Sequence, residues 1–419
     1  MKAFLPLVAL VLATPVAAQT AEETARAALE AAPIWDGHND VPIQLRSRFG
    51  NVIGEFDFDD TTDTGHTHSD GRAMHTDLAR LRQGKVGAQW WSVYVSANLP
   101  EPEAVQTVIE QIDVTKRLIA QYPDELELAL TADDVERAMG EGRIASLIGM
   151  EGGHSIGSSL SVLRQTYDLG ARYMTLTHGS NTPWADSATD EPEHGGLTDF
   201  GKDLVREMNR IGMVVDLSHV SEASMNDALD VSRAPVIFSH SSARAINGHA
   251  RNVPDAVLRR MPANGGIVMV TAVPGFLSEP ARQWGASRAA EESRLQSLWQ
   301  GQPEMVEQAM TAWTESNPQP QATISDMADH IDHVREIAGI DAIGIGGDYD
   351  GIPTTPQGLE DVSSYPALFT ELARRGYSQA DLEKISFRNM MRVMRAVEAT
   401  KAQMADMAPI EYPEGGGDD

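Results

Sequence analysis

The sequence predicts an α/β protein folded as a (β/α)8 TIM-like barrel, on three observations. Eight short apolar runs, several rich in β-branched residues, recur along the 419 residues. Helical patterns separate them along most of the chain. Ionisable residues gather where six of those runs end, the rim at which barrel enzymes assemble their sites.

The runs fall at residues 32–36, 88–95, 144–150, 173–177, 213–217, 235–239, 266–272 and 342–346. Most are almost continuously apolar, as expected of parallel strands buried on both faces. Helical periodicity fills residues 74–82, 105–120, 160–169, 197–211 and 323–337. Such alternation suggests a closed parallel barrel, with a doubly wound open sheet as the structural alternative. Two insertions interrupt it. Residues 50–71 are rich in Asp, Thr and Gly and read as a loop, while 274–320 carries its own helical pattern around 289–314. Residues 363–375 and 379–399 read as helices closing the barrel.

Lys2, an apolar run over residues 4–12 and the small residues up to Ala18 describe a secretory leader. The expected organisation is a leader at 1–18, a barrel domain at 19–407 and an acidic, Gly-rich tail at 408–419. The expected location is periplasmic or secreted, soluble once the leader is cleaved. With 61 acidic against 33 basic residues the net charge is -28, which argues against binding nucleic acid or anionic lipid surfaces. There is no cysteine, so disulfides, thiolate metal sites and a lipidated N-terminal Cys are ruled out. No hydrophobic stretch follows the acidic tail, which leaves a lipid anchor there unsupported. Any metal must be held by His and carboxylates.

Such residues stand at the strand ends. The first run leads into Asp36-Gly37-His38-Asn39-Asp40 and the third into Glu151-Gly152-Gly153-His154. The fourth ends in Thr177-His178, the fifth in Asp216-Leu217-Ser218-His219, the sixth in Phe238-Ser239-His240 and the eighth in Gly346-Gly347-Asp348-Tyr349-Asp350. His38-x-Asp40 places two side chains on one face of an extended segment, where they can grip one metal. His219 and His240, on adjacent strands, can hold a second, and Glu151 can bridge the two. Imidazole nitrogen with carboxylate oxygen is a donor set zinc accepts. A lone strand-end His is more often a satisfied core residue than a ligand, but five such groups at four strand ends are hard to attribute to accident. His66, His68 and His75 read as solvated, His249 as a turn residue and His333 as a helix residue. No G-x-G-x-x-G or Walker lysine supports a nucleotide loop.

Taken together, these segments resemble the membrane (renal) dipeptidase family, which implies a barrel of the metal-dependent hydrolase (amidohydrolase-like) type. The motifs carrying the resemblance are those above, extended by Gly179-Ser180-Asn181-Thr182-Pro183-Trp184-Ala185-Asp186, Ser241-Ser242-Ala243 and Arg251-Asn252, in family order along nearly the whole chain. The resemblance implies hydrolysis of dipeptides, including those with a C-terminal D-residue, by a water activated between two zinc ions. It assigns His38 and Asp40 to one zinc, His219 and His240 to the other, and Glu151 to both. It also implies that His178 contacts substrate and stabilises the tetrahedral intermediate, that Arg251 pairs with the substrate carboxylate, and that Asp348 shuttles the proton. Dimers are frequent in the family, so a homodimer is an expectation. The anchor and disulfides of animal relatives find no support here. Two other readings stay open: another two-metal barrel hydrolase, such as an N-acyl-amino-acid deacylase or lactonase, and an exported binding protein without catalysis.

Overall fold

A computed structural model describes residues 19–69 and 71–412. The predicted leader and residues 413–419 of the predicted tail lie outside the described residues. Every predicted run contains a strand. In chain order the strands are β1 (Ile34–Asn39), β2 (Val86–Tyr94), β3 (Leu126–Leu128), β4 (Ile144–Glu151), β5 (Ala171–Thr175), β6 (Val214–Asp216), β7 (Ile237–Phe238), β8 (Ile267–Val270) and β9 (Ile343–Ile345). All pairings are parallel, and neighbours run β1-β2-β4-β5-β6-β7-β8-β9. The ring closes where Asp36 of β1 lies opposite Ile345 of β9, which removes the open-sheet alternative. The unpredicted β3 is a short spur paired to the first residues of β4, on the edge that β5 takes over from Ile148.

Two strands run further than their apolar signal. β1 continues to Asn39 and β4 to Glu151, so His38 and Glu151 sit inside strands although polarity rises there. Both strands are buried throughout, and the long β2–β4 register carries Glu151 up beside Tyr94. The barrel interior is filled by large side chains such as Trp35, Trp90, Tyr173 and Met269. Trp35 and Trp90 stack at 6.2 Å, Trp90 meets Tyr173 at 4.8 Å, and Phe387 packs on Trp35 at 5.6 Å. The interior is therefore a packed core, leaving only the rim for chemistry.

The predicted closing region is a run of helices, Tyr365–Arg374, Gln379–Glu383 and Asn389–Gln403, with a π-turn at Lys384–Arg388. Met390 and Met394 of the last helix belong to the interior cluster. The insertion after β8 forms helices Pro274–Leu277, Glu279–Leu298 and Pro303–Ser316, dividing the single predicted pattern near Trp299. Residues 50–71 carry two short 3-10 turns, Ile53–Glu55 and Thr64–Thr67. Among the described residues no helix is long and apolar enough to cross a membrane.

Helix Ile324–Ala338 begins in a capping box at Thr323 and Asp326, and it carries a histidine that sequence reading passed over. His330 is fully buried; its Nδ1 accepts from the Ala243 N–H at 2.9 Å and its Nε2–H donates to the Leu277 carbonyl at 3.0 Å. Both nitrogens are satisfied only in the neutral ring, and burial pushes its pKa down to about 4. The unfolded chain therefore binds the proton first. His330's contribution is intact above the unfolded value of about 6.5 and is lost as pH falls towards 4, on the order of 3 kcal/mol in all. We expect His330→Gln to be less stable at pH 7.5, with a shallower fall of unfolding free energy between pH 6.5 and 4. An unchanged slope in acid titration would remove His330 as a source of acid lability.

Candidate metal centre and substrate site

The strand ends bring every predicted site residue to one rim. Glu151, at the end of β4, lies at the middle. Its Oε1 is 3.0 Å from His219 Nε2, 3.5 Å from His240 Nε2 and 3.7 Å from His178 Nε2. Its Oε2 is 3.5 Å from His38 Nε2 and accepts from Ser92 Oγ at 3.0 Å. His38 Nε2 also lies 3.3 Å from Asp40. His219 and His240 point their Nε2 atoms at each other across 3.0 Å.

Three overlapping groups among the described residues could each hold a cation: His38 with Glu151 and His240, Glu151 with His178 and His219, and His38 with Asp40 and Asp348. Within each, the ligand atoms lie within 4.8 Å of one another. His38 Nε2 is buried and makes no hydrogen bond among the described residues. A buried ring nitrogen that faces two carboxylates without a well-formed hydrogen bond to either suits a divalent ion. No ion or ligand forms part of the structure, and the donor set fits metals of this kind.

The electrostatics agree. Burial opposes charge on Glu151, but His38 and the hydrogen bond from His219 outweigh it and hold its pKa well below the usual range. Burial likewise presses His38 towards neutrality, yet Tyr173, Glu151 and Asp40 lift it well above its ordinary value. Asp348 is raised well above the carboxylate range by burial, with Asp40 and Glu151 adding to it against the pull of His38. His219 and His240 are pushed well down, first by burial and then by neighbouring cations, and so stand as neutral, ligand-competent imidazoles. Three carboxylates and two imidazoles kept neutral by burial thus face one pocket, a set of donors suited to a cation.

Backbone geometry shows the same demand. His219 and Asp348 occupy left-handed conformations, with φ of 71° and 60°. Non-Gly residues there cluster where surrounding structure over-determines them. Gly351 is required by close approach: a Cβ on it would stand 2.1 Å from Asp40 Oδ2 and 2.5 Å from Asp348 Oδ1.

His178 and Arg251 stand beside the cluster. The His178 ring lies 4.2 Å from His219 and 4.8 Å from Tyr94, and burial lowers its pKa. Arg251 is buried, donates to Ser241 Oγ at 3.3 Å and the His240 carbonyl at 3.4 Å, and lies 5.3 Å from the Phe276 ring. Burial pulls it down to about 10, against the attraction of Asp348 and Glu151.

Two of the histidines read as uninvolved prove to be supports. His75 is not simply solvated: its N–H donates to Asp350 Oδ1 at 2.8 Å and its Nδ1 accepts from the Asp350 N–H at 3.1 Å, tying the loop that carries Asp348. His249 accepts from the Arg251 N–H at 3.1 Å and packs 4.4 Å from Phe276. His66 is exposed and His333 pairs with Asp255, as expected of a solvated and a helix residue.

Sequence reading assigned no role to Asp36 or Asp216. Asp36 Oδ1 accepts from the N–H groups of His38 and Gly347, at 3.1 and 2.9 Å, and Oδ2 from the Tyr365 hydroxyl at 2.6 Å. It staples the ends of β1 and β9. An acid placed just before a strand-end ligand, where the ladder runs out of backbone partners, is the signal that could have revealed both.

The family model described as membrane dipeptidase (peptidase family M19) matches residues 22–408. Dipeptidase 3 of Rattus norvegicus is 41% identical over 399 residues, covering 94% of this chain and 71% of that protein. The probable dipeptidase PvdM from Pseudomonas aeruginosa shares the fold with a TM-score of 0.76 at 24% identity, over 91% of this chain and 99% of that one. A metallo peptidase from Rhodobacter sphaeroides, liganded with a phosphinate mimic of L-Ala-D-Ala, superposes with a TM-score of 0.70 at 22% identity, over 87% and 99% of the two chains. With a family model spanning the barrel from its first helix to its last, this chain belongs to the membrane dipeptidase family, peptidase family M19.

Proposed function

We propose that the chain cleaves dipeptides at a two-zinc centre in which His38 and Asp40 bind one ion, His219 and His240 the other, and Glu151 both. As a family member it is a metal-dependent hydrolase of dipeptides. The observation that carries the assignment of residues is the convergence of four histidines on the two oxygens of Glu151.

Bound there, divalent cations supply Lewis acidity and ease the ionisation of water. The protein's own groups do the rest. Asp348, at the rim beside His38 and Asp40, takes the proton of the attacking water and returns it to the leaving amine. His178, neutral and next to Glu151, faces the oxygen that becomes negative as the carbonyl is attacked. Arg251 receives the substrate's free carboxylate in its planar fork, which limits how much chain can follow the scissile bond. The neighbour that holds an L-Ala-D-Ala mimic supports testing D-residues at the C-terminal position. Export to the periplasm or medium rests on the leader read at residues 1–18, the single barrel domain at 19–407 on the family match, the tail at 408–419 on its composition, and a homodimer on the family resemblance.

A panel of L-L and L-D dipeptides, assayed with chelator and with zinc restored, tests the reading. The expected result is cleavage that chelator abolishes and zinc recovers. Protein holding two metals that cleaves none of them would shift the substrate to acylated amino acids or lactones. For Arg251→Ala, kcat/KM should fall roughly 10–100-fold on free dipeptides, the scale of a hydrogen bond to a charged group, with little loss on C-terminal amides. Equal losses on both would remove the clamp.

A further inference from the structure

The three imidazoles assigned to metal are themselves held, and unequally. His38 turns its Nδ1 to the Tyr173 hydroxyl at 3.0 Å. His219 Nδ1 is buried with no hydrogen-bond partner among the described residues. His240 Nδ1 lies 2.8 Å from Ser239 Oγ, and among the described residues only this link continues to a carboxylate. Ser239 Oγ donates to Asp216 Oδ2 at 2.7 Å, and Asp216 is fully buried.

The direction of each hydrogen can be worked out. Asp216 Oδ1 accepts from the N–H groups of Ser218 and Ser239, at 3.1 and 2.8 Å, and Oδ2 accepts from Thr175 Oγ1 at 2.5 Å as well as from Ser239. Four donors converge on two oxygens, so Asp216 has no hydrogen to offer. The single hydroxyl hydrogen of Ser239 goes to this charged oxygen at 2.7 Å in preference to Ser218 Oγ at 3.5 Å, and the serine oxygen can then only accept from His240. His240 must therefore carry its hydrogen on Nδ1. Its Nε2 is left as a bare lone pair aimed at His219 and Glu151, the tautomer a metal needs.

We propose that Ser239 is a positioning residue: it relays the acceptor character of Asp216 to His240, fixing that ring's tautomer and orientation for the second ion. The inference rests on the two-metal reading above. Among the described residues His219 has no such support, so the His219–His240 position should feel the loss of this hydroxyl more than the His38–Asp40 position. The control is built into the same carboxylate. Thr175→Val removes another buried hydroxyl from Asp216 Oδ2 yet leaves the Ser239 link in place.

The experiment compares wild type, Ser239→Ala, Thr175→Val and Asp216→Asn after stripping and reloading with zinc in graded chelator buffers. Zinc per chain is read by mass spectrometry of the metal, folding by circular dichroism, and geometry by the visible spectrum of the cobalt-loaded forms. Expected are two zinc ions in wild type and Thr175→Val, and a 10–100-fold weaker second ion in Ser239→Ala. The cobalt spectrum should change in Ser239→Ala alone of those two. Should Ser239→Ala fail to fold, Asp216→Asn breaks the relay from its other end and should weaken the same ion. Wild-type zinc titration by whichever relay variant folds, or equal weakening by Thr175→Val, would overturn the relay. Fewer than two zinc ions in wild type would instead overturn the two-metal reading.

Discussion

Glu151→Gln should retain less metal than the native chain and lose roughly 10²–10⁴-fold in kcat/KM, the kinetic equivalent of the about 3–5 kcal/mol typical when one partner leaves a buried ionic cluster. The substitution keeps the shape and removes the charge. The hydrogen bond from Ser92 survives only if the oxygen of the new amide faces it. The amide nitrogen must then face His219 and His240, where it can donate but cannot bind a cation. Each position proposed for a metal loses an oxygen ligand or gains a poor one. Metal content and turnover measured on the same preparation decide the matter. Two ions retained at full rate would end the bridging role.

Asp348→Asn should separate chemistry from metal. Turnover is expected to fall by roughly 10²–10⁴-fold, the usual share of a general acid–base group, while bound zinc stays at the native level. Asparagine is the informative replacement because it tolerates the left-handed backbone that Asp348 adopts at φ 60°. The Asp348 N–H, which donates to the His38 carbonyl at 3.1 Å, is kept. Alanine would add backbone strain to the loss of the carboxyl and blur the result. If zinc falls together with turnover, Asp348 is a ligand in its own right, for which its place beside His38 and Asp40 gives it the reach. Undiminished turnover would exclude it from proton transfer.

The barrel was legible because parallel strands buried on both faces leave continuous apolar runs, and every one of the eight surfaced in the sequence. The polar ends of β1 and β4 were placed just outside their strands because polarity there reflects ligands, not solvent. β3 left no trace, since three residues along another strand's edge need no apolar run. The ligand candidates were legible from their places at strand ends. Their supports were less so. Tyr173 reads as a core aromatic until its hydroxyl is seen at His38, and Ser239 and Asp216 are small polar residues whose value lies in who their neighbours are. His75 reads as solvated, and His249 as no more than a turn residue, because local polarity says nothing of a loop that folds back to the rim.

Closure of the ring by β9 has a consequence for how the protein comes into being. This strand is the last to leave the ribosome, and it joins β8 to β1. It also carries Asp348 just past its end. A nascent or truncated chain that stops before it has the residues proposed for zinc, but two raw sheet edges and none of the carboxylate proposed to carry the proton. Such a chain invites edge-to-edge association. On the roles proposed above, competence for hydrolysis arrives only once the chain has passed Asp348, so hydrolysis by this protein would report that the ring has closed.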